Sequence, residues 1–235
     1  MSPNIPFQDV WTGVARCQTC SLRDSALFAG LQQEDFAKIH EPINQIDLQP
    51  GELLYHTGAT GERLFTLRSG LIKLVRYLPD GTQRIVRLVQ ASDVLGLEVL
   101  LDAPYEHEAI AMQSSELCCL PVQVVRDLSA RNPVLHKELL NRWQKALSHA
   151  DTWLTELSTG SARSRVARLI LWLAANGDRA NECRLFSRED LGAMLGITTE
   201  TASRTIAEFK RQGWLNELSS NHYHIDRQAL EHSLA

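Results

Sequence analysis

The chain has no run of about 18 uncharged apolar residues, the length a membrane-crossing helix needs; its most apolar stretch, Val166 to Ala175, is broken by Arg168. No membrane partner is expected. The first fifteen residues lack both a basic start and an apolar run, so they do not read as a secretory signal, and a cytoplasmic location is expected. Five cysteines, an odd number, do not make a disulfide framework. Also missing are a glycine-rich phosphate loop, a Ser-His-Asp set and a pair of carboxylates at catalytic spacing, so no enzyme is expected.

What is present is ordinary globular composition, 44% hydrophobic and 22% charged, which excludes a disordered chain. At roughly 100 to 200 residues per domain, 235 residues make one large domain or two modest ones. A net charge of −4 argues against a nucleic-acid binder only if it is evenly spread. From Ser161 onward there are 10 Lys and Arg against 9 Asp and Glu, leaving 14 against 19 in the first 160 residues. A near-neutral C-terminal part after an acidic N-terminal one suggests two domains with different partners.

Hydrophobic spacing divides the chain further. Leu27, Phe28, Leu31, Phe36 and Ile39 fit short helices ended by Pro42. From Ile43 to Pro121 short apolar runs alternate with turn formers at Gln49-Pro50-Gly51, Thr57-Gly58, Ser69-Gly70 and Pro79-Asp80-Gly81. Strands are predicted at Glu52–His56, Arg63–Arg68, Leu71–Leu78 and Arg84–Val89, implying an antiparallel sandwich or roll. Helix returns at Val122. Pro133 to Ser158 then has no internal Gly or Pro, and Leu135, Leu139, Leu140, Trp143, Ala146, Leu147, Ala150, Trp153, Leu154 and Leu157 recur at three- and four-residue steps. At 1.5 Å per residue this helix is ~39 Å long, more than either flanking part needs for its own cover. Its near-heptad stripe reads as a subunit seam, with Leu139, Leu140, Trp143, Leu147 and Leu154 as interface candidates. Thr159-Gly160-Ser161 follows as a hinge.

Beyond the hinge, Ser187 with Asp190 three residues later resembles a capping box and starts a helix whose Leu191, Met194 and Leu195 face inward. Gly196 permits a turn, and Thr198 or Thr199 caps a second helix that buries Ala202, Ile206 and Phe209. This is a helix-turn-helix, whose second helix is available to the DNA major groove. Glu200, Ser203 and Arg204 lie at i, i+3 and i+4, on one face near its N-terminus. An Arg there can donate two hydrogen bonds to guanine and a Glu can accept from cytosine. The alternative is a solvated face with an internal Glu–Arg ion pair. Thr198, Thr199, Lys210 and Arg211, with Arg163, Arg165 and Arg168, are candidates for phosphates, which position without reading sequence. Leu215–Leu218 and His222–Ile225 form a small hairpin wing.

With these features the chain resembles the Crp/Fnr family of bacterial transcription regulators over essentially its whole length. The resemblance rests on Leu27-Phe-Ala-Gly-Leu31, Gly51-Glu with Gly58, Leu67-Arg-Ser-Gly-Leu-Ile-Lys73 and Thr198-Thr-Glu-Thr-Ala-Ser-Arg204, the last being similar to the Fnr branch's recognition helix. It implies an α+β fold: a cysteine-containing segment (1–26), a cyclic-nucleotide-binding-like jelly roll (27–132), a dimerisation helix (133–159) and a winged helix-turn-helix (160–235). It also implies a homodimer on palindromic double-stranded DNA. The cAMP-binding members carry an Arg where this chain has Thr199. The pattern here is similar to that of proteins recognising TTGAT…ATCAA. Loop Pro79–Gln83 is, by resemblance, a candidate contact for RNA polymerase, or a plain hairpin turn. The alternative to a DNA-binding regulator is a metabolite-binding module whose C-terminal helices are incidental.

The resemblance also bears on the effector. The nucleotide-binding members have an Arg-Ser phosphate cassette; the matching Leu97–Ala109 has no Arg, Lys or Ser, and Glu106 and Glu108 would repel a cyclic phosphate, so cAMP and cGMP are not expected. Fnr-type oxygen sensors hold a 4Fe–4S cluster on three N-terminal cysteines and one in the roll. Cys17 and Cys20 match the first pair and Cys118 the roll cysteine, while the third position falls at Ser25 or Ala26, leaving Asp24 or Cys119 as substitutes. Haem on His56, His107, His136 or His149 is a second reading, as in members that sense NO or CO. Thiol chemistry or zinc at Cys17 and Cys20 is a third. Cys119 and Cys183 read as small buried hydrophobes.

Overall fold

A computed structural model of the chain describes residues 44–176, Arg179 and residues 181–234. The helices expected before Pro42, and Cys17, Cys20 and Asp24, lie outside the described residues. The chain forms two compact units. One comprises the chain up to Arg76 with Arg87–Ser148, the other Tyr77–Val86 with the chain from His149.

Eight strands precede the first described α-helix: β1 (Asn44–Leu48), β2 (Leu53–Tyr55), β3 (Arg63–Ser69), β4 (Ile72–Tyr77), β5 (Gln83–Val89), β6 (Val94–Leu95), β7 (Glu108–Ala111) and β8 (Ser115–Pro121). They make two four-stranded sheets, ordered β1-β8-β3-β6 and β2-β7-β4-β5, in a jelly roll of antiparallel pairings. Strand β3 lies inside its sheet between β8 and β6, and accordingly buries Leu64, Phe65, Thr66 and Leu67 in succession. Strand β4 buries Ile72, Leu74 and Val75. The turn between β4 and β5 closes as its sequence suggests: Leu78 N–H donates to the Thr82 carbonyl at 2.9 Å and Thr82 N–H to Asp80 Oδ1 at 2.9 Å. That backbone hydrogen bond holds the exposed Asp80 carboxyl below its ordinary range.

Three aromatics pack against one another inside the roll. Tyr55 and Tyr105 stack with ring centroids 4.0 Å apart, and Phe65 lies 5.9 Å from Tyr55. The Tyr105 hydroxyl donates to the Arg63 carbonyl at 2.8 Å, and burial pushes both phenols well above their ordinary range. Gly61 makes room for this ring: a Cβ there would lie 2.7 Å from Tyr105 Cζ.

Helix α1 (Val122–Arg131) ends at Asn132, whose Oδ1 accepts from the N–H groups of Val134 and Leu135 and restarts the chain as α2 (Pro133–Thr152). Two side chains of α2 grip the turn between β5 and β6: Arg142 donates to the Ser92 carbonyl at 2.7 Å, and Lys145 pairs with Asp93 at 2.6 Å. The sequence predicts unbroken helix to Ser158. Instead α2 gives way to a π-helical turn at Trp153–Leu157.

The second unit contains α3 (Ala162–Ala175), β9 (Glu182–Arg184), α4 (Arg188–Leu195), α5 (Thr199–Arg211), β10 (Leu215–Ser219), β11 (His222–Ile225) and α6 (Arg227–His232). The three strands form a sheet ordered β10-β11-β9. Val166, Leu169 and Ile170 of α3 meet Leu191, Met194 and Leu195 of α4 and Ala202, Ile206 and Phe209 of α5 in one buried core. Each large apolar side chain so buried contributes roughly 1.5–3 kcal/mol. Helix α4 is capped by Ser187, whose Oγ accepts from Asp190 N–H at 3.0 Å and donates to its carboxylate at 2.8 Å. It ends on Gly196, whose φ of 62° is left-handed. Gly192 is needed for a different reason: a Cβ there would sit 2.7 Å from the Ile197 carbonyl oxygen. Gly192→Ala is therefore expected to force α4 off the turn and to cost about 1–3 kcal/mol. Calorimetry reads this as a lower Tm for the C-terminal unit, with the roll's transition unmoved.

Candidate nucleic-acid interface

Helix α5 starts where the sequence places it, and of its two candidate caps Thr198 serves: its Oγ1 accepts from Thr201 N–H at 3.2 Å. The cap orients the first turn. Ala202, Thr205, Ile206 and Phe209 then face the core, and Thr199, Glu200, Ser203, Arg204, Ala207 and Arg211 are exposed. The three candidate base readers thus share one outward face, as their i, i+3, i+4 spacing requires.

The guanidinium groups on this face are free of partners among the described residues. Arg204 and Arg211 make no hydrogen bond or ion pair among the described residues, and Glu200 and Arg204 do not close into an ion pair. The Glu200 carboxyl is nonetheless held below its usual range, first by its own backbone N–H, then by the Thr198 hydroxyl and by the Arg204 charge. An ionised acceptor and an uncommitted guanidinium one turn apart are what direct readout of a G·C pair needs. Ala207 shares the face, and its methyl suits the methyl group of a thymine. Sequence reasoning passed over it, because an alanine in a helix gives no signal unless its exposure is known.

The cations expected on phosphates divide in two. Arg163 pairs with Glu208, donates to Gln212 Oε1 at 3.1 Å, and lies over the Trp214 and Phe209 rings at 4.7 and 5.3 Å. Arg165 donates to the Leu195 carbonyl at 2.6 Å. Arg168 donates to the carbonyls of Glu156 and Thr159, each at 2.9 Å. The guanidinium groups of these three hold helix ends and side chains of neighbouring elements. Lys210 pairs with Glu217 on the wing and lies 5.3 Å from the Tyr223 ring centroid, so a phosphate has to displace that carboxylate. Thr198, Thr199 and Arg211 remain open to solvent.

Along α2 and the π-turn the apolar stripe separates. Leu135 and Leu157 are buried within the chain, and Leu139 and Trp143 are half-buried. Leu140, Leu147 and Leu154, seven residues apart, are 55%, 58% and 63% exposed.

In the sensor half, Cys118 lies on β8 opposite Gln45 of β1 and Thr66 of β3, and is half-buried. Adjacent strand residues point to opposite faces, so Cys119 turns into the roll, where Arg63 donates to its sulfur at 3.3 Å and burial pushes its thiol up. Cys119 is thereby removed as a substitute ligand beside Cys118. Burial pushes the Cys183 thiol up to about 12, consistent with a small buried hydrophobe. Among the described residues no group of three or more His, Cys, Asp or Glu is arranged to hold a metal. His56 pairs with Glu108 at 3.2 Å, and burial with Arg87 and Arg76 lowers the pKa of His107.

A jelly roll, a long helix and a winged helix-turn-helix with a polar, uncommitted recognition face define a DNA-binding regulator. The comparisons agree. Residues 45–132 match the cyclic nucleotide-binding domain family and residues 164–233 the Crp-like helix-turn-helix domain family. The transcriptional activator protein FnrA of Stutzerimonas stutzeri is 28% identical over 207 residues, 86% of this chain and 85% of that one. The fumarate and nitrate reduction regulatory protein of Escherichia coli is 27% identical, over 85% and 82%. FixK2 from Bradyrhizobium japonicum superposes with a TM-score of 0.75 at 23% identity, over 83% of this chain and 98% of that one. The chain belongs to the Crp/Fnr family of transcription regulators. It is not an enzyme, and no described helix is long and apolar enough to cross a membrane.

The two groups of arginines are separable by experiment. Arg163→Ala is expected to cost about 1 kcal/mol, roughly 4–8 °C in Tm for a domain of this size, while leaving the salt dependence of DNA binding unchanged. Arg211→Ala is expected to leave Tm unchanged and to reduce the salt slope by about 0.9 for each copy of the chain bound. Thermal melts and titrations at several salt concentrations check both.

Proposed function

We propose that the chain acts as a homodimer that reads a TTGAT-type palindrome, each α5 entering one major groove, in response to a redox or gas signal rather than a cyclic nucleotide. The observation that carries the reading is the outward face of α5, with ionised Glu200, Ser203 and unpaired Arg204 presented by a capped first turn. Arg204 would specify a guanine, Glu200 the paired cytosine, and Arg211 with Thr198 and Thr199 the flanking phosphates. Leu140, Leu147 and Leu154 support the dimer, since a heptad stripe left exposed on a single chain is covered by its own symmetry mate at little cost.

Arg204→Ala is expected to lose about 1–3 kcal/mol of affinity per half-site, roughly five- to hundredfold, and to lose its preference for G·C over A·T at the pair it reads. Retained discrimination contradicts the reading. Leu147→Glu places a charge at the seam's midpoint and is expected to give monomers by sedimentation; a persistent dimer rules the seam out.

For the signal, the names of the relatives support anaerobic regulation. Glu106 and Glu108 at the cassette position, and a roll interior occupied by Tyr55, Phe65 and Tyr105, support the rejection of cAMP. Half-buried Cys118 fits one ligand of a 4Fe–4S cluster better than Cys119, whose sulfur is buried in the roll and accepts from Arg63; Cys17 and Cys20 would supply two more. Such a group supplies oxygen-labile redox chemistry. Protein purified without oxygen is expected to show a broad sulfur-to-iron absorbance that collapses in air. A sharp porphyrin band moves the assignment to haem, and a colourless, iron-free protein contradicts both. RNA polymerase is the further partner this role requires, with the Pro79–Gln83 turn as its candidate contact.

A further inference from the structure

The joint between α2 and α3 is over-determined rather than loose. The π-turn at Trp153–Leu157 interrupts the helical hydrogen-bond pattern, and such interruptions leave carbonyls in need of donors. Side chains supply them. Thr155 Oγ1 donates to the Asp151 carbonyl, Ser158 Oγ to that of Trp153, and Thr159 Oγ1 to that of Thr155. Arg168, from the second turn of α3, reaches back and donates to the carbonyls of Glu156 and Thr159. Between these groups Gly160 turns the chain at a φ of 82°, open to glycine and strained for other residues, and Ser161 caps α3 by accepting from Ser164 N–H. Leu157 is buried, and the Trp153 ring stands edge-on to Trp172 of α3 at 6.4 Å. All of these residues belong to the second unit.

We infer that Arg168 is a positioning residue that sets the half-site spacing this regulator accepts, by fastening the end of the dimer-forming helix to the first helix of the DNA-binding domain. The Arg168 Nη1 group, donating to two carbonyls on the far side of Gly160, fixes the direction in which α3 leaves the joint. Since α5 packs on α3 through a common core, the same pair of bonds fixes where α5 stands relative to the end of the seam helix. In a two-fold dimer that offset is doubled. A rigid joint then tolerates one separation of half-sites, whereas a loosened one tolerates several. This inference rests on the homodimer reading above.

The test uses the full chain and duplexes carrying two TTGAT half-sites as a palindrome, with the spacer that the unsubstituted protein binds most tightly or with one base pair added or removed. The unsubstituted protein is expected to lose at least about tenfold in affinity when the spacer changes. Arg168→Ala is expected to keep its preference for TTGAT over scrambled half-sites while its spacer discrimination falls below about threefold. Arg168→Lys, which keeps the charge and N–H donors but lacks the rigid planar guanidinium, is expected to fall between. A residue that merely stabilises the fold would weaken all spacers alike, and that outcome, or undiminished spacer discrimination in Arg168→Ala, overturns the inference. Amide exchange checks the joint without DNA: residues 153–161 are expected to exchange at least about tenfold faster in Arg168→Ala, and unchanged exchange overturns it. Failure of the unsubstituted protein to prefer TTGAT over scrambled DNA is a separate result, counting against the proposed function and leaving the exchange experiment to decide the joint.

Discussion

The close approach at Gly192 governs the DNA-binding half of the molecule. Only a residue without a Cβ lets the Ile197 carbonyl settle against α4, and that contact sets the angle at which α5 departs. The left-handed Gly196 then turns the chain, and the Thr198 cap fixes the rotation of the first turn of α5. With that rotation set, Ile206 and Phe209 face inward, and Glu200, Ser203 and Arg204 have no alternative but solvent. The recognition face is therefore a consequence of a tight turn and one cap, not of any attraction among the three side chains.

Electrostatics divide the labour among the arginines of this domain. Those on α3 are committed inward: Arg163 to Glu208 and two aromatic faces, Arg165 to the last carbonyl of α4, Arg168 to the joint. Arg204 and Arg211 on α5 are not. An arginine with protein partners gives up nothing by leaving phosphates alone, while one without them can bind a base or a phosphate without first breaking a bond. Binding at low net positive charge is intelligible on this basis, since the useful cations are few and placed where they count.

Much of this was legible in the sequence, because local rules and tertiary structure coincide. The strands Arg63–Ser69 and Gln83–Val89 fall within a residue of expectation, as does α5, since turn formers and caps bound them. Other elements were not legible. β6 has two residues and β9 three, too short to show alternation, and both exist only through their partners. The π-turn at Trp153 leaves no mark in hydrophobic spacing, because the stripe runs on through Leu154 and Leu157. The partners of Arg163, Arg165 and Arg168 were not legible because they lie on other elements, such as Glu208 for Arg163, and composition cannot say which cation has already found an acceptor.

The central claim is that one side chain on α5 reads one base pair. The most direct measurement is a double-substitution cycle between Arg204 and the guanine of the TTGAT half-site, comparing unsubstituted and Arg204→Ala protein on the native duplex and on one with that G·C pair changed to A·T. Direct readout predicts that the change costs the unsubstituted protein about 1–3 kcal/mol and costs Arg204→Ala almost nothing. Equal losses for both proteins would show that Arg204 does not contact that base and would contradict the assignment.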